Sequence, residues 1–335
     1  AATGDVLVHS PLAAAAHGGG YDYDFDPMFE DVRPILEAAD LAICHLETTL
    51  SRDNRQLSYY PIFEVPRQVG AALARAGYDY CSTASNHSVD VGLRGVGATL
   101  DVLDRVGLAH DGTARSRSEA RAPAYLTVEG VRIALLSYTY GLNGLPPPEG
   151  AAWAVNLIDG RRIVADARRA RRRGARFVIV SVHWGAEYVQ SPTPDQRRIA
   201  RRIVRSGAVD VVIGHHAHVV QPIDRAGGPV VVYGLGNFLS SQSGACCPVE
   251  TQDGVIVHLR VEGIGGDFRV TRILYTPTWV SHEPYRILPV ALARRDPTTP
   301  EYLKDEVQAS FERTRAAIEA LEPRGIRASA RGFSR

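Results

Sequence analysis

The chain has 335 residues, of which 45% are hydrophobic, 22% charged and 7% aromatic, enough to bury one large core or two modest ones. That composition excludes disorder, collagen and coiled coil. Lys plus Arg is 38 against 37 for Asp plus Glu, a net charge of +1, so no general field gathers nucleic acid or an anionic membrane, and no apolar run approaches the ~20 residues that a membrane span needs.

Short β-branched runs alternate with amphipathic stretches rich in Arg and Ala, the pattern of an α/β fold. In chain order the sequence predicts a helix over Met28–Ala38, a strand over Leu41–Cys44, a helix over Arg67–Arg75 and a strand over Tyr78–Thr83. A helix over Leu93–Val106 follows, then strands Ala124–Val128 and Arg132–Ser137, joined through the tight turn Val128-Glu-Gly-Val131. Gly141–Gly150, with three consecutive prolines, reads as a loop. Next come a helix over Asp159–Arg173, a strand over Phe177–Val182 and a helix over Pro194–Ser206, with Thr193 as cap and Pro194 in its first turn. Strands Val209–Ile213 and Val230–Tyr233 precede a loop over Ser241–Asp253. Strands Val255–Val261 and Phe268–Tyr275 meet at a Gly-rich turn, and a closing helix spans Glu301–Leu321. The tight turns make part of the sheet antiparallel, so two packed sheets with helices outside fit better than one parallel sheet. The organisation expected is a catalytic domain over residues 1–290 and a helical extension over 291–335.

Lys304 is the only lysine, and it sits in the charged segment Glu301–Glu306 that reads as a solvated helix start. A P-loop for a nucleotide and a Schiff base for pyridoxal phosphate are therefore excluded. The cysteines, at 44, 81, 246 and 247, show neither zinc-ribbon spacing nor a disulfide framework, which points to a reducing compartment and a cytoplasmic location. The start Ala-Ala-Thr-Gly-Asp has no methionine and no signal peptide, as in a trimmed record of a longer chain.

Polar residues gather at the carboxyl ends of the predicted strands. The segments are Thr3-Gly-Asp5, Cys44-His-Leu-Glu47, Ala84-Ser-Asn-His87, Ser181-Val-His-Trp-Gly185, Ile213-Gly-His-His-Ala-His218 and Gly234-Leu-Gly-Asn237. Strand ends on one side of an α/β sheet form the crevice where ligands bind, so these segments are expected to converge on one rim. Imidazole mixed with carboxylate and amide oxygen suits a divalent Mn, Zn, Fe or Co ion. Asp5, Glu47, Asn86, His183, His216 and His218 are too many ligands for one catalytic ion and suit a pair bridged by a carboxylate. On an extended backbone His216 and His218 point the same way and His215 the other, which makes His215 a supporting residue.

The strings Thr3-Gly-Asp5, Leu46-Glu-Thr48, Ser85-Asn-His87, His183-Trp-Gly-Ala-Glu-Tyr188, Gly214-His-His-Ala-His-Val-Val-Gln221 and Tyr233-Gly-Leu-Gly-Asn-Phe238 resemble the CapA/PgsA capsule-synthesis (poly-γ-glutamate) family. The resemblance runs from about residue 3 to about residue 290 and implies the calcineurin-like metallophosphoesterase fold: a four-layer αββα sandwich of two mixed sheets flanked by helices, with a dimetal centre. It also implies that Glu47 bridges the ions and that His87 is a non-ligand histidine beside the substrate. One departure is clear: the phosphoesterase pattern Asp-x-His has Leu7 where its histidine belongs. His9 and His45 are unusual and either replace that ligand or hydrogen-bond to the others.

Two bound ions serve either hydrolysis or proton abstraction beside a polarised carbonyl or carboxylate. The altered first motif argues against a standard phosphatase, and the chain is also similar to the peptide epimerases encoded with some lasso peptides. The leading expectation is therefore inversion of a peptide Cα from L to D, on a peptide substrate such as a ribosomal precursor. The alternatives are a dinuclear-metal phosphoesterase or amidase, and a role in capsule polymer synthesis. A cofactor-free epimerase needs a base on each face of the carbon; His87, oriented by Asp90, is the first candidate and His282 the second. Trp184, Tyr188 and Asn237 are candidates for supporting the site or meeting substrate, though core packing explains Trp184 equally well. Gly18-Gly-Gly20 with Tyr21–Phe25 reads as an aromatic lid. The arginines of 168–173 and 197–205 read as solvated helix faces or as a dock for an acidic leader.

Overall fold

The computed structural model describes residues 1–225, 228–323 and 325–333. Two mixed sheets lie face to face with helices outside each, the four-layer sandwich expected. In the first sheet the hydrogen-bonded order is Tyr285–Pro289, Asp267–His282, Asp253–Ile264, Ala2–Val6, Ile43–Leu46, Tyr80–Ser82 and Ala109–Asp111. Asn237–Leu239 also pairs with Ala2–Val6, and Ile326–Ala328 pairs with Asp267–His282. The second sheet runs Ile223–Asp224, Val230–Val232, Val211–His215, Phe177–His183, Val131–Thr139 and Ala124–Val128.

Three apolar layers hold the four together. Ala2, Ile43 and Tyr80 from the first sheet meet Ile133, Ile179 and Ile213 from the second in the central layer. Leu12, Leu73 and Leu100 bring helices onto the outer face of the first sheet, and Ile163, Ala167 and Ile203 do so on the second. Burial of these faces, at about 25 cal/mol per Å² of apolar area, drives the layering. The helix Pro194–Arg205 starts at a capping box, in which Thr193 accepts from the Gln196 backbone and Gln196 reaches back to the Thr193 N–H. Glu129 and Gly130, at φ of 48° and 75°, make the left-handed turn that joins Ala124–Val128 to its antiparallel neighbour.

The strands at Ala2–Val6 and Ala109–Asp111 were not predicted, because each is short and lacks a long apolar run. The predicted helix over 28–38 is instead two short turns, Asp26–Phe29 and Arg33–Leu36. Pro34 cannot donate into a continuing helix, so the chain restarts there. The supposed lid is a small hairpin, His17–Gly19 with Asp22–Tyr23, whose Tyr21 carbonyl accepts from Asn54 and Gln68.

The cysteine reading is corrected. Cys44 and Cys81 lie in register on adjacent parallel strands, Cα atoms 4.5 Å apart, and form a disulfide. The crossover helix between the two strands brings together residues 37 apart in sequence, which spacing alone hides. Cys246 and Cys247 are free, and the cysteines no longer argue for a reducing compartment. Among the described residues no helix is long and apolar enough to cross a membrane.

Candidate metal centre

The parallel strands of both sheets end on the same side, and their polar ends meet there. Asp5 closes the strand Ala2–Val6 in a position set by close backbone packing: a Cβ on Gly4 would overlap the Gly236 carbonyl. Its carboxylate faces the second sheet, 3.1 Å from His215 Nδ1 and 3.3 Å from His218 Nδ1, and accepts the His216 backbone N–H at 3.1 Å. Glu47 follows the neighbouring strand. Its Oε1 lies 3.9 Å from His183 Nε2 and 3.7 Å from His218 Nε2. Asn86 Oδ1 is 2.8 Å from His183 Nε2.

Ligand-type atoms of Asp5, His45, Glu47 and His183 lie within 4.8 Å of one another, as do those of Glu47, His216 and His218. Glu47 belongs to both groups, the placement a bridging carboxylate requires. Both Glu47 oxygens, His215 Nε2 and His216 Nδ1 are buried without a hydrogen-bond partner. Leaving a buried polar atom unpaired costs ~1–3 kcal/mol, more for a charged group, so this donor set fits a cation. Electrostatics agree. Burial pushes the Glu47 carboxyl well above its ordinary value. Burial also opposes charge on His218, yet Glu47 and Asp5 pull it up to about 9, so a proton there does part of a cation's work. Burial and the neighbouring imidazoles hold His183 well below 6.5 and His216 at about 3, neutral and able to offer a lone pair.

His216 and His218 reach this position by a different route from the expected extended strand. Their φ values are 87° and 56°, left-handed backbone that non-glycine residues adopt at a cost of about 1–3 kcal/mol each. The turn aims both rings at Glu47. His215, still in the strand, stacks on His45 with centroids 4.1 Å apart.

Around this cluster the other expected residues separate. His87 Nδ1 is 2.8 Å from Asp90 Oδ2, and its ring meets Phe63 edge-on at 4.7 Å. Asn237 Oδ1 accepts from His218 Nδ1 at 3.0 Å while its amide nitrogen donates to Gln242 and the Thr251 carbonyl, which fixes the His218 ring. His9 packs edge-on to Phe63 at 5.6 Å and is held near pH 4 by burial and by the nearby His218 and His87. His45 bridges Ser82 and His183. Trp184 belongs to the outer core of the second sheet, where it donates to the Tyr233 carbonyl at 2.9 Å. His282 lies tilted against Tyr285 with ring centroids 5.0 Å apart, and among the described residues no hydrogen bond or ring contact links it to the cluster.

Sequence reasoning missed Tyr140 and Asn143. Tyr140, half exposed, lies over His216 with centroids 4.5 Å apart. Asn143 accepts from Asn86 Nδ2 at 3.0 Å and places its own amide 3.4 Å from His87 Nε2. Both follow the carboxyl end of the strand Val131–Thr139, so the rim rule that found the histidines covers them too. A cavity of about 480 Å³ lies elsewhere, at the opposite end of the inter-sheet layer beside Ile133, Phe177 and Phe333. An ion needs no such volume.

The fold and the cluster together define an α/β sandwich protein with carboxylate, amide and imidazole donors converging where its two sheets share a rim. The chain belongs to the family described as Bacterial capsule synthesis protein PGA_cap, whose pattern matches residues 1–242. It is 30% identical over 259 residues to the PGA biosynthesis protein CapA of Bacillus subtilis (strain 168), a match covering 74% of this chain and 65% of that protein. With the capsule biosynthesis protein CapA of Bacillus anthracis it shares 27% over 269 residues, covering 78% and 63%. The chain thus spans just under two thirds of these curated relatives. Among solved structures it is similar to the calcineurin-like phosphoesterase YfkN from Bacillus subtilis, with a TM-score of 0.47 and 15% identity over 92% of this chain and 96% of that one.

Proposed function

We propose that the protein is a metal-dependent peptide epimerase that inverts one Cα centre, from L to D, in a peptide such as a ribosomal precursor. The observation that carries this reading is His87: an imidazole beside the donor cluster but not within it, with Asp90 on Nδ1 at 2.8 Å and an amide group facing Nε2 at 3.4 Å. With the proton of His87 held on Nδ1 by Asp90, Nε2 presents its lone pair, the form a general base needs. Asp5, Glu47, Asn86, His183, His216 and His218 would hold two divalent ions, of Mn, Zn, Fe or Co, with Glu47 between them. Such ions, when bound, stabilise the negative charge that develops on a carbonyl or carboxylate oxygen next to the reacting carbon. His87 Nε2 takes the Cα proton, Asp90 steadies the ring as it gains charge, and Asn143 keeps it oriented. The opposite-face role is assigned to His282, whose Nε2 is buried without a hydrogen-bond partner and whose ring lies beside Tyr285 at 5.0 Å. Residues 1–290 are proposed as the catalytic unit and 291–335 as its extension.

Incubation with candidate peptides in deuterated water tests this. Deuterium at a single Cα, lost in His87→Ala, is expected; unlabelled peptide together with released phosphate or a cleaved amide defeats the proposal.

A second reading, a dinuclear hydrolase, is favoured by the sharing of Glu47 between two donor groups. Turnover of an aryl phosphate, abolished by His216→Ala, supports it. The relatives' names place them in capsule and PGA biosynthesis, so a role in assembling a glutamate polymer is the third reading.

A further inference from the structure

His45 sits behind the donor cluster rather than at its open side. Its ring is 1% exposed and is clamped flat against His215, with 16° between the planes. Both nitrogens are engaged: Nε2 lies 2.9 Å from His183 Nδ1, and Nδ1 lies 2.8 Å from Ser82 Oγ. Ser82 Oγ in turn reaches the Cys44 carbonyl at 3.3 Å.

His183 therefore has two differently employed nitrogens. Nε2 faces Asn86 Oδ1 at 2.8 Å and Glu47 Oε1 at 3.9 Å, toward the cluster. Two ligands of one ion, each at ~2.0–2.2 Å, sit about 3 Å apart, which is the Asn86 to His183 separation. If Nε2 offers its lone pair there, the proton must be on Nδ1, where only His45 Nε2 is placed to accept it. His45 must then carry its own proton on Nδ1 and donate to Ser82, whose hydroxyl donates to the Cys44 carbonyl. One set of tautomers satisfies each bond, and the chain ends on a backbone acceptor in the same strand that carries His45.

We propose that His45 is a positioning residue. It fixes the tautomer and the ring orientation of His183 through a relay, His183 Nδ1–H to His45 to Ser82 to the Cys44 carbonyl, and is not itself an ion ligand. Imidazole ligands are commonly steadied through their second nitrogen by a carboxylate, a carbonyl or water. Here the partner is a second buried imidazole. The inference rests on the reading that the cluster holds divalent ions, and it assigns the role that sequence alone left open between replacing the lost ligand and hydrogen-bonding to the others.

The test is the affinity and stoichiometry of Mn²⁺ for the full chain, by equilibrium dialysis, with folding checked by circular dichroism. His45→Leu removes the acceptor and should weaken binding about 10- to 100-fold. His45→Gln puts an amide oxygen near the position of Nε2 and should restore affinity to within a few-fold of wild type. Ser82→Ala, a milder change that keeps the fold if His45→Leu does not, should weaken binding in the same direction by a smaller factor. X-ray absorption should count as many imidazoles in His45→Gln as in wild type. Loss of one ion and one imidazole in His45→Gln would make His45 a ligand and overturn the proposal. Unchanged affinity in both His45→Leu and Ser82→Ala would overturn it as well. Failure of the wild type to bind any ion would instead remove the metal-centre reading beneath it.

Discussion

The Asn143 amide lies 3.4 Å from His87 Nε2 while its oxygen accepts from Asn86 at 3.0 Å, so one side chain touches both a candidate ligand and the candidate base. Asn143→Ala should leave the ion content unchanged and lower the rate of Cα deuteration by roughly tenfold, against ~10²-fold or more for His87→Ala. Elemental analysis alongside the exchange rate separates the two effects. A variant that loses its ions would show that Asn143 serves Asn86 rather than His87.

Glu47→Gln replaces a buried carboxylate, unpaired by hydrogen bonds, with a neutral group of the same shape. Ion-free, the variant should be at least as stable as wild type, because the burial penalty of this carboxyl is relieved while Asp5 still faces His218 at 3.3 Å. With divalent ion at 100 times its Kd, wild type should gain about 2.7 kcal/mol, and the variant much less. Thermal melts with chelator and with Mn²⁺ measure both, and an equal gain in the two proteins contradicts the shared-carboxylate arrangement.

Gly4→Ala inserts a methyl where the Gly236 carbonyl already lies. The strand Ala2–Val6 must shift from its partner, at a cost of about 1–3 kcal/mol, and Asp5 and Asn237 move with it. Lower urea midpoint and weaker Mn²⁺ binding are expected together. Weakened stability with intact binding would show that the donors tolerate the displacement.

Asp111 is buried beside the strand Val131–Thr139, where it accepts the Ser137 N–H at 2.8 Å, and burial pushes its carboxyl up to about 8. The unfolded chain releases that proton near pH 3.9, so between about 4 and 8 the native state holds more protons. The stability this provides is fully present below pH 4 and is lost as pH rises toward 8, by at most ~1.4 kcal/mol per unit. Asp111→Asn should flatten that slope. Urea unfolding at pH 5 and at pH 8 decides it, since parallel slopes in both proteins would refute the assignment.

The sheet strands with long β-branched runs, such as Phe177–His183 and Val211–His215, were readable because their apolar pattern is continuous. The donors were readable because each ends a strand in sequence, and strand ends share a rim. What stayed hidden depends on contacts between distant segments. The Cys44 to Cys81 bond and the His45 to His183 contact join neighbours in space that are 37 and 138 residues apart in sequence. Asn143 and Tyr140 were passed over because they sit in a stretch rich in glycine and proline, where turn chemistry masks any other role.

The left-handed turn at His216 and His218 narrows which substitutions the protein can accept there. Glycine, asparagine and aspartate tolerate that backbone but bring no imidazole, while glutamate and cysteine must adopt a conformation they resist. Two unrelated demands thus fall on the same two positions, so engineering a different ion preference is easier at Asn86 or Asp5, where the main chain leaves the choice to chemistry alone.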